Sequence, residues 1–271
     1  MSQKDEIERS IITKFRKTIW RPFTKAIRDY ELIEENDKIA VCISGGKDSM
    51  LLAKCMEELQ KHGKKKFELI YLVMNPGYNK KNQDKIIKNA KKLGIKISIF
   101  ESDIFAVVNK YANKSPCYLC ARMRRGFLYD RAQELGCNKI ALGHHFDDVI
   151  ETILLSILYG GEYKSMMPKL KSTNFSGMEL IRPLYYVREK DIISWTKSNN
   201  LNFINCACKV TSKDNMKESK RLEIKNLIKK LEETNKNVAY NIFKSSENVN
   251  IDTVIATKKE NIKTTFLENY K

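Results

Sequence analysis

The chain has 271 residues, and its 50 Lys and Arg against 33 Asp and Glu give a formal net charge of +17. Its 42% hydrophobic residues, 11 Gly and 5 Pro are those of a globular protein, which excludes disordered, collagenous and low-complexity classes. No apolar run approaches the ~18–20 residues of a membrane span, and the opening MSQKDEIERS carries acids where a secretory signal is apolar, so a cytoplasmic protein with no membrane partner is expected.

In chain order, Ile7, Ile11, Ile12, Phe15 and Ile19 recur at helical spacing within residues 5–31, and Pro22 starts a new helical segment there. Lys38–Ile43 is a short, nearly continuous apolar run, the pattern of a strand buried on both faces. Ser44-Gly45-Gly46-Lys47-Asp48-Ser49 follows, then a helix through Leu51, Leu52, Cys55, Met56 and Leu59. A strand over Phe67–Met74 leads through Asn75-Pro76-Gly77-Tyr78 to a basic helix near residues 82–93, and a third strand covers Lys96–Phe100. A helix carrying Cys117-Tyr-Leu-Cys120 runs to Leu135, and a fourth strand, Lys139–Leu142, ends at Gly143-His144-His145-Phe146-Asp147-Asp148 and another helix. This alternation predicts an α/β fold with a mainly parallel sheet flanked by helices, its motifs just after strand C-termini where open α/β sheets bind ligands. Beyond residue 185 the pattern is mostly helical, with a Lys/Glu-rich stretch at 213–236 and no strong pattern over Asn241–Lys271. The expected organisation is an N-terminal helical segment at 1–36, a nucleotide-binding unit at 37–208 and a helical, partly flexible extension at 209–271.

The charge does not by itself name a partner, because 39 of the 50 basic residues are Lys in a chain rich in Lys, Asn and Ile. The excess lies mostly in residues 41–208, with 27 basic against 16 acidic residues, and there Arg122, Arg124 and Arg125 cluster. Seven Cys without a signal argue against a disulfide framework. Cys42, Cys55 and Cys137 read as buried hydrophobes. Cys117 and Cys120, one helical turn apart, can share a metal or cluster, and the nearby Arg would favour thiolates. Cys206-Ala-Cys208 is the second pair. A zinc site of all four, or chance placement of the CxxC, are the alternatives; in an extended chain the second pair lies roughly 6–7 Å apart, long for one tetrahedral metal.

Ser44–Ser49 has two glycines for close backbone approach, a helix N-terminus for an anion, a lysine, and hydroxyls able to bond phosphate oxygens. It lacks the GxxxxGK[ST] spacing of a Walker loop, and the alternative is an ordinary Gly-rich turn with a polar cap. In Gly143–Asp148, Gly143 allows close approach and Asp147 or Asp148 can cap the helix or hold Mg²⁺, while the plain alternative is a helix cap with satisfied His.

The string SGGKDS resembles the signature of the PP-loop ATP pyrophosphatases, an adenine nucleotide alpha hydrolase fold with a Rossmann-like sheet. With PCYLCARMRRGFLYDRAQELG, KIALGHHFDDVIET, LYGGEYKSMMPKLK, IRPLYYVREKDI and NFINCAC, residues 29–206 resemble the tRNA 2-thiocytidine synthetase (TtcA) family in particular. The resemblance implies ATP and Mg²⁺ at Ser44, Gly45, Gly46, Lys47, Asp48 and Ser49, bordered by Gly143 and His144, with Asp148 the functional residue of that loop. It implies a [4Fe-4S] cluster on Cys117, Cys120 and Cys206, one iron being left open to a sulfur donor. Two departures stand out: Cys208 follows Cys206 after one residue rather than two, leaving it as an alternative ligand, a persulfide carrier or inert, and Val73-Met74-Asn75-Pro76 lacks an Asp expected near position 76.

The implied reaction is ATP-dependent thiolation of a tRNA cytidine, position 32 being expected: the base oxygen takes AMP as pyrophosphate leaves, and sulfur then displaces AMP at carbon 2. Lys47, Asp48, Asp148 and Cys206 are the expected catalytic residues. Partners would be tRNA and a sulfur source, either a cysteine desulfurase or sulfide, with a homodimer implied by resemblance alone. Candidate phosphate contacts are the basic helix at 80–96, Arg122–Arg125 and Lys164–Lys171. The alternatives are a PP-loop thiolase or ligase acting on another base or a small molecule, and a non-catalytic, metal-stapled RNA-binding protein.

Overall fold

The computed structural model describes residues 3–102, 104–105, 116–204, 220–268 and 270, and for 116–121 the backbone alone. Six strands form one sheet in the order β3-β2-β1-β4-β6-β5: β1 Lys38–Ile43, β2 Glu68–Asn75, β3 Ile97–Glu101, β4 Lys139–Ala141, β5 Lys169–Lys171 and β6 Glu179–Ile181. All neighbours pair parallel except β5, which runs antiparallel to β6. The helices are α1 Gln3–Ile12, α2 Arg21–Asp29, α3 Lys47–His62, α4 Lys80–Leu93, α5 Pro116–Glu134, α6 Phe146–Gly160, α7 Glu189–Ser198, α8 Lys220–Thr234 and α9 Val238–Ser245.

The run Lys38–Ile43 is apolar because β1 is covered on both sides. Ile39, Val41 and Ile43 enter a core with Met50, Leu51 and Phe23, while Ala40 and Cys42 face a second core with Leu72, Tyr129 and Ile140. The helical repeat of the N-terminus serves the first core: Ile7, Ile11, Phe15, Ile19 and Phe23 are all buried in it. Pro22 stands in the first turn of α2, where its missing N–H costs no intrahelical bond, and a short π-helical turn at Arg16–Trp20 precedes it. Helices α8 and α9 close a third cluster against α6 through Ile224, Ile228, Ala239 and Phe243, packed on Phe146 and Ile150.

Two expectations need correction. β5 and β6 extend the sheet beyond the four expected strands; three residues each are too few for a period to register. The stretch Asn241–Lys271, expected to lack a pattern, contains the end of α9 and a hairpin of β7 Ala256–Lys259 with β8 Ile262–Thr265. Its two-residue turn, Glu260-Asn261, has positive φ at both positions (50° and 66°) without a glycine to announce it.

Candidate nucleotide and thiolation site

The chain proceeds from β1 outward to β3 and then returns to β4 on the other side of β1, so the order of the sheet reverses between β1 and β4. A crevice opens at the C-terminal ends of strands flanking such a reversal. Ser44 follows β1 and Gly143 follows β4 after a single residue, so both loops meet there. They line a cavity of about 390 Å³ with Asp48, His144, Asp148, Arg124, Arg125 and Arg221 among its walls.

The loop after β1 is held by its own polar groups. The Ser49 hydroxyl donates to the Gly46 carbonyl and accepts from the Ser44 N–H, both at 3.1 Å. The Ser49 hydroxyl, expected to bond phosphate, is thus engaged in shaping the loop and is buried, while Ser44 is exposed. Gly45 adopts φ +83°, and a Cβ there would lie 2.5 Å from Ile86 Cγ1, so glycine is required on two counts. Gly143 is required by contact: its Cβ would lie 3.0 Å from the Asp48 carbonyl carbon and the Ser49 nitrogen. The second loop therefore presses directly on the first turn of α3, whose Asp48 and Ser49 line the crevice.

Lys47 Nζ lies 3.1 Å from Asp48 Oδ1 and 3.1 Å from Glu189 Oε1 on α7. Burial lowers the Lys47 pKa, but the two carboxylates outweigh it and the net direction is upward. Burial likewise raises Glu189, yet Lys225 and Lys47 hold it down at about 2. Asp48 Oδ1 is buried without a hydrogen-bond donor, although Lys47 stands within ion-pair distance, and His144 Nδ1 is also buried without a partner. Two unsatisfied polar atoms in one crevice mark where a polar ligand fits.

The residue that caps α6 is His145, not Asp147 or Asp148. Its Nδ1 accepts from the Asp148 N–H at 3.4 Å while Asp148 Oδ2 accepts from the His145 N–H at 3.0 Å, a reciprocal capping box. Asp147 turns away, accepting from Arg188 Nε at 3.1 Å and from the Glu189 N–H at 2.6 Å. Asp148 faces the cavity, where Arg221 Nη2 donates to its Oδ1 at 2.8 Å. Burial pushes the Asp148 pKa up, but His145, Arg221, His144 and the backbone bond to His145 bring it below the usual carboxylate range. His144 moves to about 4, chiefly through burial, so its imidazole is neutral near pH 7.

Cys117 and Cys120 stand in the first turn of α5, one helical turn apart, while Arg124, Arg125 and Leu128 farther along that helix line the cavity. Cys206 and Cys208, expected to complete the cluster site, lie outside the described residues. The chain leading to them is placed, since the Ile204 N–H donates to the Gly45 carbonyl at 3.4 Å. The backbone of α5 that carries the CxxC leads into the wall of the crevice, and two cysteines one helical turn apart are a donor pair of the kind that holds a metal or an iron–sulfur cluster. Cys42, Cys55 and Cys137 are buried as expected, and burial raises all three, Cys42 to about 12, although Cys42 also touches the cavity.

Asn75 replaces the expected acid: its Oδ1 accepts from the Gly77 and Tyr78 N–H groups at 3.1 and 2.7 Å, so it builds the turn after β2. Among the proposed phosphate contacts, Lys169 is engaged by Glu34 at 3.1 Å and Glu179 at 3.4 Å, and Lys85 and Lys92 bond Asn202 and Asn200. Sequence reasoning missed Arg221, Glu189 and Arg182. Arg182 and Glu189 both belong to the string IRPLYYVREKDI, Glu189 being the first of its two acids; Arg221 has no local signal.

A parallel sheet with an SGGKDS loop and a facing GHHFDD loop at its switch point defines the class of PP-loop ATP-binding proteins. The family model of the PP-loop domain, ATP_bind_3, matches residues 15–213. The chain is 36% identical over 251 residues to the tRNA-cytidine(32) 2-sulfurtransferase of Alcanivorax borkumensis, covering 90% of this chain and 85% of that protein. It is 37% identical over 246 residues to the protein of the same name from Geotalea uraniireducens, covering 90% and 94%. Among solved structures, the U34-tRNA thiolase NcsA from Methanococcus maripaludis with its [4Fe-4S] cluster superposes with a TM-score of 0.69 at 25% identity, covering 86% of this chain and 77% of that one. The chain belongs to the PP-loop domain family and, within it, to the tRNA-cytidine(32) 2-sulfurtransferases.

Proposed function

We propose that the chain is an ATP-dependent tRNA sulfurtransferase that replaces the C2 oxygen of a cytidine, at tRNA position 32 as in its named relatives, with sulfur. The observation that carries this is the meeting of the SGGKDS loop, the GHHFDD loop and the α5 residues Arg124 and Arg125, on the helix that bears the CxxC, around one crevice.

A pyrimidine carbonyl oxygen is a poor leaving group until it carries AMP. Gly45 and Gly46 let phosphates approach the backbone, and the N-terminus of α3 favours their charge. Lys47 stabilises the negative charge that develops as pyrophosphate departs, and Glu189 holds the lysine toward the loop. The Asp48 and Asp148 carboxylates line the cavity and would hold the Mg²⁺ that accompanies ATP, which would supply positive charge to the phosphates. His144, neutral, offers a hydrogen bond to the nucleotide or the base. A [4Fe-4S] cluster held by Cys117, Cys120 and Cys206 would supply an open iron position for the incoming sulfur. In this reading residues 37–208 are the catalytic unit, with tRNA and a sulfur source, a cysteine desulfurase or sulfide, as partners of a cytoplasmic homodimer. No helix among the described residues is long and apolar enough to cross a membrane.

The test is mass spectrometry of tRNA nucleosides from a strain lacking this gene. Loss of 2-thiocytidine is expected. Loss of a thiolated uridine instead moves the reaction to another base, and an unchanged nucleoside profile defeats the proposal.

A further inference from the structure

A second cavity, of about 680 Å³, opens beside the first and shares Arg125 with it. Its floor includes Leu170 of β5 and Leu180 of β6, which face one another across the ladder, and Leu170 is left 46% exposed. Its wall is α5, which presents Arg122, Arg125, Gly126 and Tyr129 as one stripe at helical spacing. Phe175 stacks on Tyr129 with ring centroids 5.2 Å apart.

Three properties of this groove point to one kind of occupant. Its charged lining residues are Arg122, Arg125 and Lys171, all cations, and among the described residues none of them has an ion-pair partner. Arg182, the residue after β6, does not line the groove and bonds the Met167 carbonyl, but it is buried with its Nε unpartnered, and burial together with the Arg125 charge pushes its pKa down to about 10, so an anion held on Arg125 would offset the repulsion between the two arginines. A Cβ at Gly126 would meet nothing within 4 Å, so the helix interior carries a glycine that no packing demands and that leaves open space over the groove.

We propose that this groove holds the unpaired nucleotides flanking the reacting base, with phosphates on Arg122, Arg125 and Lys171 and a base against Phe175 and Leu170. The inference rests on the tRNA reading above. Because Arg125 lines both cavities, a strand lying in the groove can deliver a splayed-out base into the crevice. A second copy of the chain fits poorly: a two-fold contact would set the cations against themselves, and β5, the edge strand it would use, carries Lys169 and Lys171.

Gly126→Phe fills the groove without altering the PP-loop, the GHHFDD loop or the cysteines, and Gly126→Ala controls for the helix. tRNA binding by the full chain is measured by fluorescence anisotropy at fixed salt, with ATP binding by calorimetry and a thermal melt to verify folding. In Gly126→Phe the tRNA Kd should weaken at least about tenfold while ATP affinity is kept, and Gly126→Ala should bind both normally. Lys171→Glu, at an exposed position, should weaken tRNA binding and lower the salt slope by about one. If the wild type binds no tRNA, the functional reading falls and this inference with it. If the wild type binds tRNA and the folded Gly126→Phe and Lys171→Glu variants bind it equally well, the groove alone is overturned. A dimer that becomes monomeric in Gly126→Phe with unchanged tRNA affinity assigns the face to self-association instead.

Discussion

Arg221 grips two carboxylates at once, donating from Nη2 to Asp148 Oδ1 at 2.8 Å and from Nε to Glu151 Oε2 at 2.7 Å. The contact joins α8 to the first two turns of α6 and puts a residue of the C-terminal extension in the wall of the nucleotide crevice. Glu151 is itself buried, and burial raises its pKa even with Arg221 beside it. The extension therefore helps to set the charge of the site.

Removing that fork should cost both stability and function. Arg221→Leu leaves Asp148 and Glu151 without their shared donor, and because the arginine is 47% exposed the loss is set at about 1–2 kcal/mol in urea denaturation, below the value of a fully buried pair. Thiolation should fall with it. An unchanged midpoint together with full activity would show that α8 merely rests against the crevice.

Gly143→Ala tests the contact between the loops. The added Cβ would stand 3.0 Å from backbone atoms of Asp48 and Ser49, which cannot swing aside as a side chain would. A destabilisation of roughly 1–3 kcal/mol is expected, with weakened ATP binding by calorimetry, because the displaced turn is the one proposed to receive phosphate. Normal ATP affinity would separate Gly143 from the nucleotide.

Much of this arrangement is legible locally, and the illegible part has physical reasons. Lys38–Ile43 and the SGGKDS that follows announce a buried strand, a tight turn and a helix start within twelve residues, and GHHFDD repeats that grammar after β4. Arg221 cannot be read this way, since its partner Asp148 lies 73 positions away and nothing in a helical repeat specifies which face meets a carboxylate. His145 escapes because Asp and Ser are the familiar N-caps, and the aspartates beside it drew the assignment. The hairpin at 256–265 escapes because Glu260-Asn261 makes a turn usually marked by Asn-Gly.

His144 gives the crevice a pH dependence whose sign is fixed. Its pKa falls from 6.5 to about 4 on folding, mainly by burial, with Arg182, Arg221 and His145 adding to the fall and Asp148 opposing it. Between those values the unfolded chain binds a proton that the folded chain refuses, so stability is full above pH 6.5 and declines toward pH 4. The ring keeps some solvent contact, so the decline due to this group is on the order of 2 kcal/mol. His144→Gln should flatten that part of the stability–pH curve, and an unaltered slope would place the titration elsewhere.

The cysteines make a spectroscopic prediction. Protein reconstituted without oxygen should show the broad visible absorption of a [4Fe-4S] cluster, and Cys117→Ser, Cys120→Ser and Cys206→Ser should each lose it. Cys208→Ser should keep it. A colourless protein holding one zinc per chain would replace the cluster with a structural metal.

Lys47 is poised between Asp48 and Glu189, each 3.1 Å from its Nζ, and this position separates its two roles. In the proposed reaction it would meet charge that appears only as pyrophosphate leaves, so Lys47→Met should lower single-turnover pyrophosphate release by about 10²–10³ while tRNA affinity holds. In the folded state it is one of two cations that keep Glu189 near a pKa of 2, well under its unfolded value of 4.5. That pairing stabilises the fold above pH 4.5 and is lost as pH falls toward 2. Lys47→Met leaves Glu189 to Lys225 alone, so the acid-unfolding midpoint should move upward. If pyrophosphate release survives while the midpoint moves, the lysine serves the fold and the phosphates are held by backbone and metal alone.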